Sequence, residues 1–266
     1  MTEFVKEAGI KGEVAIITGS ASGIGKGIAE RYAKGGAKVV IADFNLEAAT
    51  AVAEEIKATG AEAMAVRMDV TSEEEVNAGV DAVVKAYGRV DILVANAGLQ
   101  IVHPVEEFSL EDWNKVVGVN LNGAFLTARA CIRYMYPAKR GSIIFTGSFH
   151  SKAASPLKTA YIAAKHGVLG LTRAIAKEAL VHGVRANVIC PGLVMTPLIE
   201  KQIPEQAKEL GISEEDVKLH VLHMEDTHGM VSTPADIAEV AYFFAAMPTN
   251  CLTGQSMDVN YGLLYG

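Results

Sequence analysis

Cysteine is scarce in this chain of 266 residues: there are three, Cys131, Cys190 and Cys251, far apart and without a Cys-x-x-Cys pair. An odd, dispersed set reads neither as a disulfide framework nor as a structural zinc site, and it points to a reducing, cytoplasmic setting. Long hydrophobic runs are missing too. The most apolar C-terminal stretch, Ile237 to Met247, is interrupted by Glu239, well short of the roughly 20 apolar residues that span a bilayer. No membrane span is expected. Glu3 and Glu7 stand where a secretory signal would place positive charge, so no export signal is expected either. Nor is there a block of Lys or Arg. With 24 basic against 31 acidic residues and a formal net charge of −7, the chain has no electrostatic footprint for nucleic acid or an anionic membrane.

What is present is the composition of an ordinary globular protein, 50% hydrophobic and 21% charged. One α/β domain accommodates this length, so residues 1–266 are read as a single domain. Short runs rich in Val, Ile and Ala alternate with segments of helical period, the pattern of a parallel sheet covered on both faces. Strands are expected near Val14–Thr18, Lys38–Ala42, Glu62–Arg67, Ile92–Ala95, Ser142–Thr146, Arg185–Ile189 and Gln255–Val259. Helical patterns lie near Ile24–Lys34, Leu46–Thr59, Ser72–Tyr87, Leu110–Pro137, Thr159–His182 and Pro234–Met247, with Ser72 and Glu75 reading as a capping box. A polar, partly helical insertion, 195–231, reads as a substrate lid. Within it His220, His223 and His228 stand near Glu225 and Asp226. Solvated lid residues account for that run, and no metal is expected.

The first strand runs straight into Thr18-Gly-Ser-Ala-Ser-Gly-Ile-Gly25 and then a helix. Glycines let the backbone approach a pyrophosphate, and the helix N-terminus supplies unpaired N–H groups and a favourable dipole. Gly19, Ser22, Gly23, Ile24 and Gly25 are therefore expected to hold a dinucleotide. The second strand ends in Asp43, 18 residues after Gly25, where a carboxylate can accept both adenosine ribose hydroxyls. No Lys or Arg adjoins it to hold a 2′-phosphate, so the cofactor is read as NAD. The third strand ends in Asp69-Val70 and the fourth runs into Asn96-Ala-Gly98. Both are at the carboxyl edge of the sheet, where ligands bind in open α/β folds.

The fifth strand ends at Thr146-Gly-Ser148, and the next helix carries Tyr161 and Lys165 at i and i+4, on one face. A phenol is a poor base at neutral pH, but an adjacent ammonium favours the phenolate and is expected to lower its pKa. Tyr161 would then exchange a proton with a substrate hydroxyl or carbonyl, and Ser148 would hydrogen-bond the same oxygen.

These motifs, with Asn120 and with Pro191-Gly192 ahead of Thr196, resemble the short-chain dehydrogenase/reductase family over nearly the whole chain. The resemblance implies a Rossmann-type, doubly wound, seven-stranded parallel sheet and a tetrad of Asn120, Ser148, Tyr161 and Lys165. It further implies that Lys165 holds the nicotinamide ribose, that Asn120 positions a water in the proton relay, and that Thr196 with the Val194 backbone fixes the carboxamide. Ala95 departs from the pattern, standing where the family commonly has a second Asn. The helices at Leu110–Pro137 and Thr159–His182 resemble those of the family's tetramer contacts, so a homotetramer is expected.

Substrate has to be argued from the pocket. Gln100, His150, Lys158 and Gln202 stand where they would converge over the nicotinamide, and one cation with three hydrogen-bonding groups suits a carboxylate. Asn96-Ala-Gly-Leu-Gln100, Ser148-Phe-His150, Lys158-x-x-Tyr161 and Ile189-Cys-Pro-Gly192 through Gln202 are similar to the bacterial D-3-hydroxybutyrate dehydrogenases. That likeness implies (R)-3-hydroxybutyrate and acetoacetate as the reacting pair. Leu193 and Leu263 depart from it, standing where that group usually carries Trp. A longer 3-hydroxy acid, a neutral alcohol or a sugar is the alternative, and a silent NAD-binding scaffold is the reading from another class.

Overall fold

The structure, a computed structural model, describes residues 9–222, 224 and 226–263. Seven strands form one all-parallel sheet in the order β3-β2-β1-β4-β5-β6-β7. They are β1 (Val14–Thr18), β2 (Lys38–Asp43), β3 (Ala63–Arg67), β4 (Ile92–Ala95), β5 (Gly141–Thr146), β6 (Val184–Pro191) and β7 (Ser256–Val259). β1 is buried along its whole length, because a parallel sheet is covered on both faces. Alternate residues serve opposite cores. Val14 and Ile16 join Val40, Leu93 and Phe145 on one face, under helices α3 (Glu73–Tyr87), α5 (Gly123–Ala138) and α6 (Thr159–Ala179). Ala15 and Ile17 join Val39, Ile41 and Val94 on the other, under α1 (Gly23–Lys34), α2 (Leu46–Ala58) and α9 (Pro234–Ala246). Each fully buried Val, Leu, Ile or Phe stabilises by roughly 1.5–3 kcal/mol, and Phe145→Ala at the sheet centre would cost about 3–5 kcal/mol.

The chain starts in the middle of the sheet, winds outward through β2 and β3, then returns to β4 on the other side of β1. At that reversal the loops after β1 and β4 diverge, which opens a crevice at the carboxyl edge.

Three expectations are corrected in detail. The stretch Leu110–Pro137 is not one regular helix: α4 (Leu110–Val117) passes into a π-helical turn, Gly118–Asn122, before α5 begins. The extra residue in that turn re-aims Asn120, a polar side chain in an otherwise apolar stretch. Ser72 caps α3 by accepting from the Glu75 N–H, but the reciprocal half of the box is absent. The Glu75 carboxylate instead pairs with Arg67 and accepts from the Asp69 N–H. β6 does not stop at Ile189 and continues through Pro191, which carries the strand into the crevice.

The 195–231 segment is organised by a small apolar centre of its own. It contains α7 (Pro197–Leu210), the single turn α8 (Glu214–Asp216) and a π-helical turn, Val217–Val221. Ile203, Val217 and Leu222 are buried together, with Leu193, Ile199, Ala207 and Val221 against them. A Val194–Ser232 bridge, with Ser232 N–H donating to Leu193 O at 3.0 Å, ties the two ends together. His223 and Glu225, of the histidine and acid run read in the sequence, lie outside the described residues.

Candidate active site

The glycine loop is held by hydrogen bonds that reach across the β1/β4 crevice. Thr18 Oγ1 accepts from the N–H groups of Asn96 and Ala97 at 3.0 and 3.1 Å. Asn96 Nδ2 in turn donates to Thr18 O and Gly19 O at 3.0 and 3.1 Å, and its Oδ1 accepts from Thr146 Oγ1 at 3.3 Å. One side chain thus binds β1, β4 and β5 at their carboxyl ends. Gly25 is buried against this junction: a Cβ there would stand 2.4 Å from Gly19 O and 2.6 Å from Asn96 Nδ2. Gly19 and Gly23 have φ of +62° and +56°, left-handed backbone that favours glycine. The Ser22 side chain makes no cap bond to α1, which leaves the first-turn N–H groups to a ligand anion.

A cavity of about 540 Å³ opens over this loop. Of the expected dinucleotide residues, Gly19, Ser22, Gly23, Ile24, Asp43, Asp69, Val70, Asn96, Gly98, Pro191, Gly192, Val194 and Thr196 line it, and Gly25 lies beneath. Asp43 Oδ2 accepts from Ala21 N–H and Oδ1 from Asn45 N–H, both at 3.1 Å, so each oxygen keeps a lone pair for a ribose hydroxyl. Arg67 sits beside Asp43 in strand register, but its guanidinium pairs with Glu75 at 2.5 Å. Asp69 Oδ1 accepts from both Thr71 N–H and Thr71 Oγ1. The closely approached glycines, the free helix end and the buried carboxylate fit an adenine dinucleotide.

Further along the cavity stand Asn120, Ser148, Tyr161 and Lys165. Asn120 Nδ2 donates to Leu99 O at 2.7 Å and Val116 O at 2.9 Å, and its buried Oδ1 has no protein partner. Gly98 explains its own residue type, since a Cβ there would lie 2.9 Å from Asn120 Oδ1 and 3.8 Å from Lys165 Nζ. Lys165 Nζ donates to Thr146 O at 2.7 Å. Ser148 caps the turn that follows, accepting from His150 N–H at 3.1 Å.

The expected depression of the Tyr161 phenol is not found. Burial pushes it up to about 12, opposed only by the Ser148 hydrogen bond. Burial also brings Lys165 down to about 8. The spacing rule places the two side chains on one face, but desolvation, the largest cause acting on each, penalises both charged forms.

The substrate-pole residues divide. Gln100, His150 and Lys158 line the cavity together; Gln202 does not, being 1% exposed with neither amide atom hydrogen-bonded. Of the four residues expected to converge, Gln202 is therefore the one that the cavity lining does not include. His150 is held by Ser155, Nε2 to Oγ at 2.7 Å. Lys158 is 2% exposed, and burial alone lowers it to about 8. Among the described residues no carboxylate pairs with it. Sequence reasoning missed Phe44, Val119, Val221 and Leu222, which also line the cavity. Phe44 had a signal, a large apolar residue directly after a strand-ending Asp; the others depend on the two π-helical turns.

Comparison with known proteins agrees with this geometry. The family model described as short chain dehydrogenase matches residues 13–207. The chain is 39% identical to the D-beta-hydroxybutyrate dehydrogenase of Rhizobium meliloti over 94% of its length and 98% of that protein. It is 32% identical to the 3-oxoacyl-[acyl-carrier-protein] reductase of Thermotoga maritima, covering 96% of this chain and 99% of the relative. A short-chain type dehydrogenase/reductase from Mycobacterium marinum superimposes with a TM-score of 0.87 at 30% identity, covering 97% of this chain and 98% of that one. With its doubly wound sheet, its glycine loop and its matched length, the chain belongs to the short-chain dehydrogenase/reductase family of oxidoreductases that use NAD(H) or NADP(H).

Proposed function

We propose that the protein is an NAD-dependent dehydrogenase interconverting (R)-3-hydroxybutyrate and acetoacetate, working as a cytoplasmic homotetramer. The observation that carries this reading is Lys158, a cation 2% exposed, on the same cavity as Ser148 and Tyr161 and without a carboxylate partner among the described residues. Keeping a buried ammonium without a counter-charge is costly, and an anionic substrate supplies the missing charge. Gln100 and His150 add hydrogen bonds to the same carboxylate, and Gln202 joins them if α7 shifts on binding.

Tyr161 takes the proton of the substrate hydroxyl while Ser148 hydrogen-bonds the same oxygen, and Lys165 with Asn120 passes the proton outward. A bound nicotinamide would supply the hydride acceptor for the carbinol carbon; Lys165 would hold its ribose, and Val194 and Thr196 its carboxamide. Asp43 favours NAD because its carboxylate repels a 2′-phosphate, and Arg67 is engaged by Glu75. Exposed Phe125 on α5 and Leu180 and Val181 after α6 support the tetramer, which light scattering would check.

The test is a panel of 3-hydroxy acids and matched neutral alcohols, each assayed for NADH and NADPH formation. The acids with NAD are expected to give the highest kcat/KM. Neutral alcohols turning over as well as the acids would replace this reading with a general alcohol dehydrogenase.

A further inference from the structure

Six aliphatic side chains, Leu193, Leu198, Ile199, Val221, Leu222 and Leu263, line the cavity that also holds Lys158, Ser148 and Tyr161. They come from the chain after β6, the first turn of α7, the second π-helical turn and the segment after β7. Leu193, Ile199, Val221 and Leu222 belong to the apolar centre built on Ile203 and Val217. That centre is separate from the two sheet cores, so the cavity wall is an apolar surface to which the 195–231 segment contributes four side chains and the chain at 193 and 263 one each. Its two ends are pinned by the Val194–Ser232 bridge.

In the 3-hydroxy-acid reading, on which this inference rests, the carboxylate lies on Lys158 and the carbinol oxygen on Ser148 and Tyr161. What remains for the apolar wall is the carbon after the carbinol and whatever follows it. In a four-carbon acid that is one methyl group. Even with part of the wall against the nicotinamide, one methyl group is small beside a wall to which six aliphatic side chains contribute. Apolar surface left wet inside a cavity is unfavourable, and each further methylene that covers it contributes about 0.8 kcal/mol. From this mismatch we infer that the preferred substrates are 3-hydroxy acids with an alkyl tail, about six to eight carbons in all, and that Leu193 and Leu263 are specificity-determining residues for tail length.

The chemistry is unchanged by tail length. The C3–H bond is broken with its electron pair passing to the nicotinamide, the O–H proton passes to Tyr161, and the carbinol is oxidised to a 3-oxo acid as NAD is reduced.

The experiment measures kcat/KM with NAD for (R)-3-hydroxybutyrate, (R)-3-hydroxyhexanoate and (R)-3-hydroxyoctanoate. At about 0.8 kcal/mol per methylene the gain is about fourfold each, so the six-carbon acid should exceed the four-carbon acid by tenfold or more. If the four-carbon acid is as good or better while acids remain substrates, the tail inference is overturned and the 3-hydroxy-acid reading stands. If no acid of any length is turned over, the underlying reading fails first. Leu193→Trp and Leu263→Trp, which fill the wall, should each lower the six-to-four-carbon ratio by about tenfold. A ratio unmoved by both substitutions would remove these residues from tail recognition.

Discussion

Lys165 Nζ donates to the Thr146 carbonyl at 2.7 Å while lying 5.4 Å from the centre of the Tyr161 ring. The ammonium is thus anchored to the end of β5 rather than to the phenol oxygen, and Lys165 is buried while Tyr161 is half-buried on the cavity wall. Close ionisable groups lose their protons as a pair. Burial brings Lys165 down to about 8 and pushes the Tyr161 phenol up to about 12, so Lys165 is the member that gives up its proton at the lower pH. The singly protonated pair then includes the form with phenolate and ammonium, the one that accepts a proton.

The pH profile follows from that order of titration. For alcohol oxidation, kcat/KM should rise with pH through an apparent pKa near 8. Lys165→Met should remove the rise near 8 and lower activity near neutrality by about 10²–10⁴. Tyr161→Phe should abolish turnover and leave NADH fluorescence titrations nearly unchanged. A Lys165→Met enzyme that keeps the wild-type profile would show that another group titrates.

In the proposed reading Lys158→Ala removes the cation, among those lining the cavity, that is offered to the substrate carboxylate. Truncating one partner of a desolvated ion pair costs about 2–5 kcal/mol, and the loss should appear in kcat/KM for 3-hydroxy acids. A neutral 2-alkanol should barely respond. Because burial lowers Lys158 to about 8, KM for the acid should be flat below that pH and rise about tenfold per unit above it, as the free protein loses the proton that the anion requires. A KM that stays flat well above pH 8 would place the anion elsewhere.

Leu157 holds Lys158 in place through its backbone. Its φ is +67°, and its carbonyl accepts from His103 N–H at 3.1 Å, tying the loop of Lys158 to the loop of Gln100. Left-handed backbone at a non-glycine residue costs of order 1–3 kcal/mol and worsens with β-branching. Leu157→Gly should therefore keep the acid kinetics, and Leu157→Val should raise KM for the acid about tenfold without changing neutral-alcohol turnover. Equal effects on acid and alcohol would reduce Leu157 to a packing residue.

Asp43→Asn keeps an acceptor for the Ala21 or Asn45 N–H and removes the charge. The ratio of NADP to NAD kcat/KM should rise by tenfold or more, since repulsion of a 2′-phosphate is what the carboxylate contributes. An unchanged ratio would shift cofactor choice to another residue.

Much of this molecule was legible in one dimension. Strand periodicity set by burial on both faces placed the seven strands to within about two residues at either end, and glycine types before α1 marked the one loop where backbone must approach a ligand. That Ser148, Tyr161 and Lys165 come to one cavity could be expected from spacing, because a strand end and an i, i+4 pair are local facts. The π-helical turn that aims Asn120 was not legible, since one extra residue in a helix leaves no mark on the hydrophobic pattern. The direction of the Tyr161 shift was not legible either, because desolvation is the largest cause of it and depends on how the folded chain surrounds the phenol. The same holds for Gln202, whose place on α7 is decided by how Ile203 and Val217 bury each other. Sequence alone determined the sheet, the glycine loop and the local spacing of Ser148, Tyr161 and Lys165; tertiary packing decided which polar groups reach the cavity and how much each loses by leaving water.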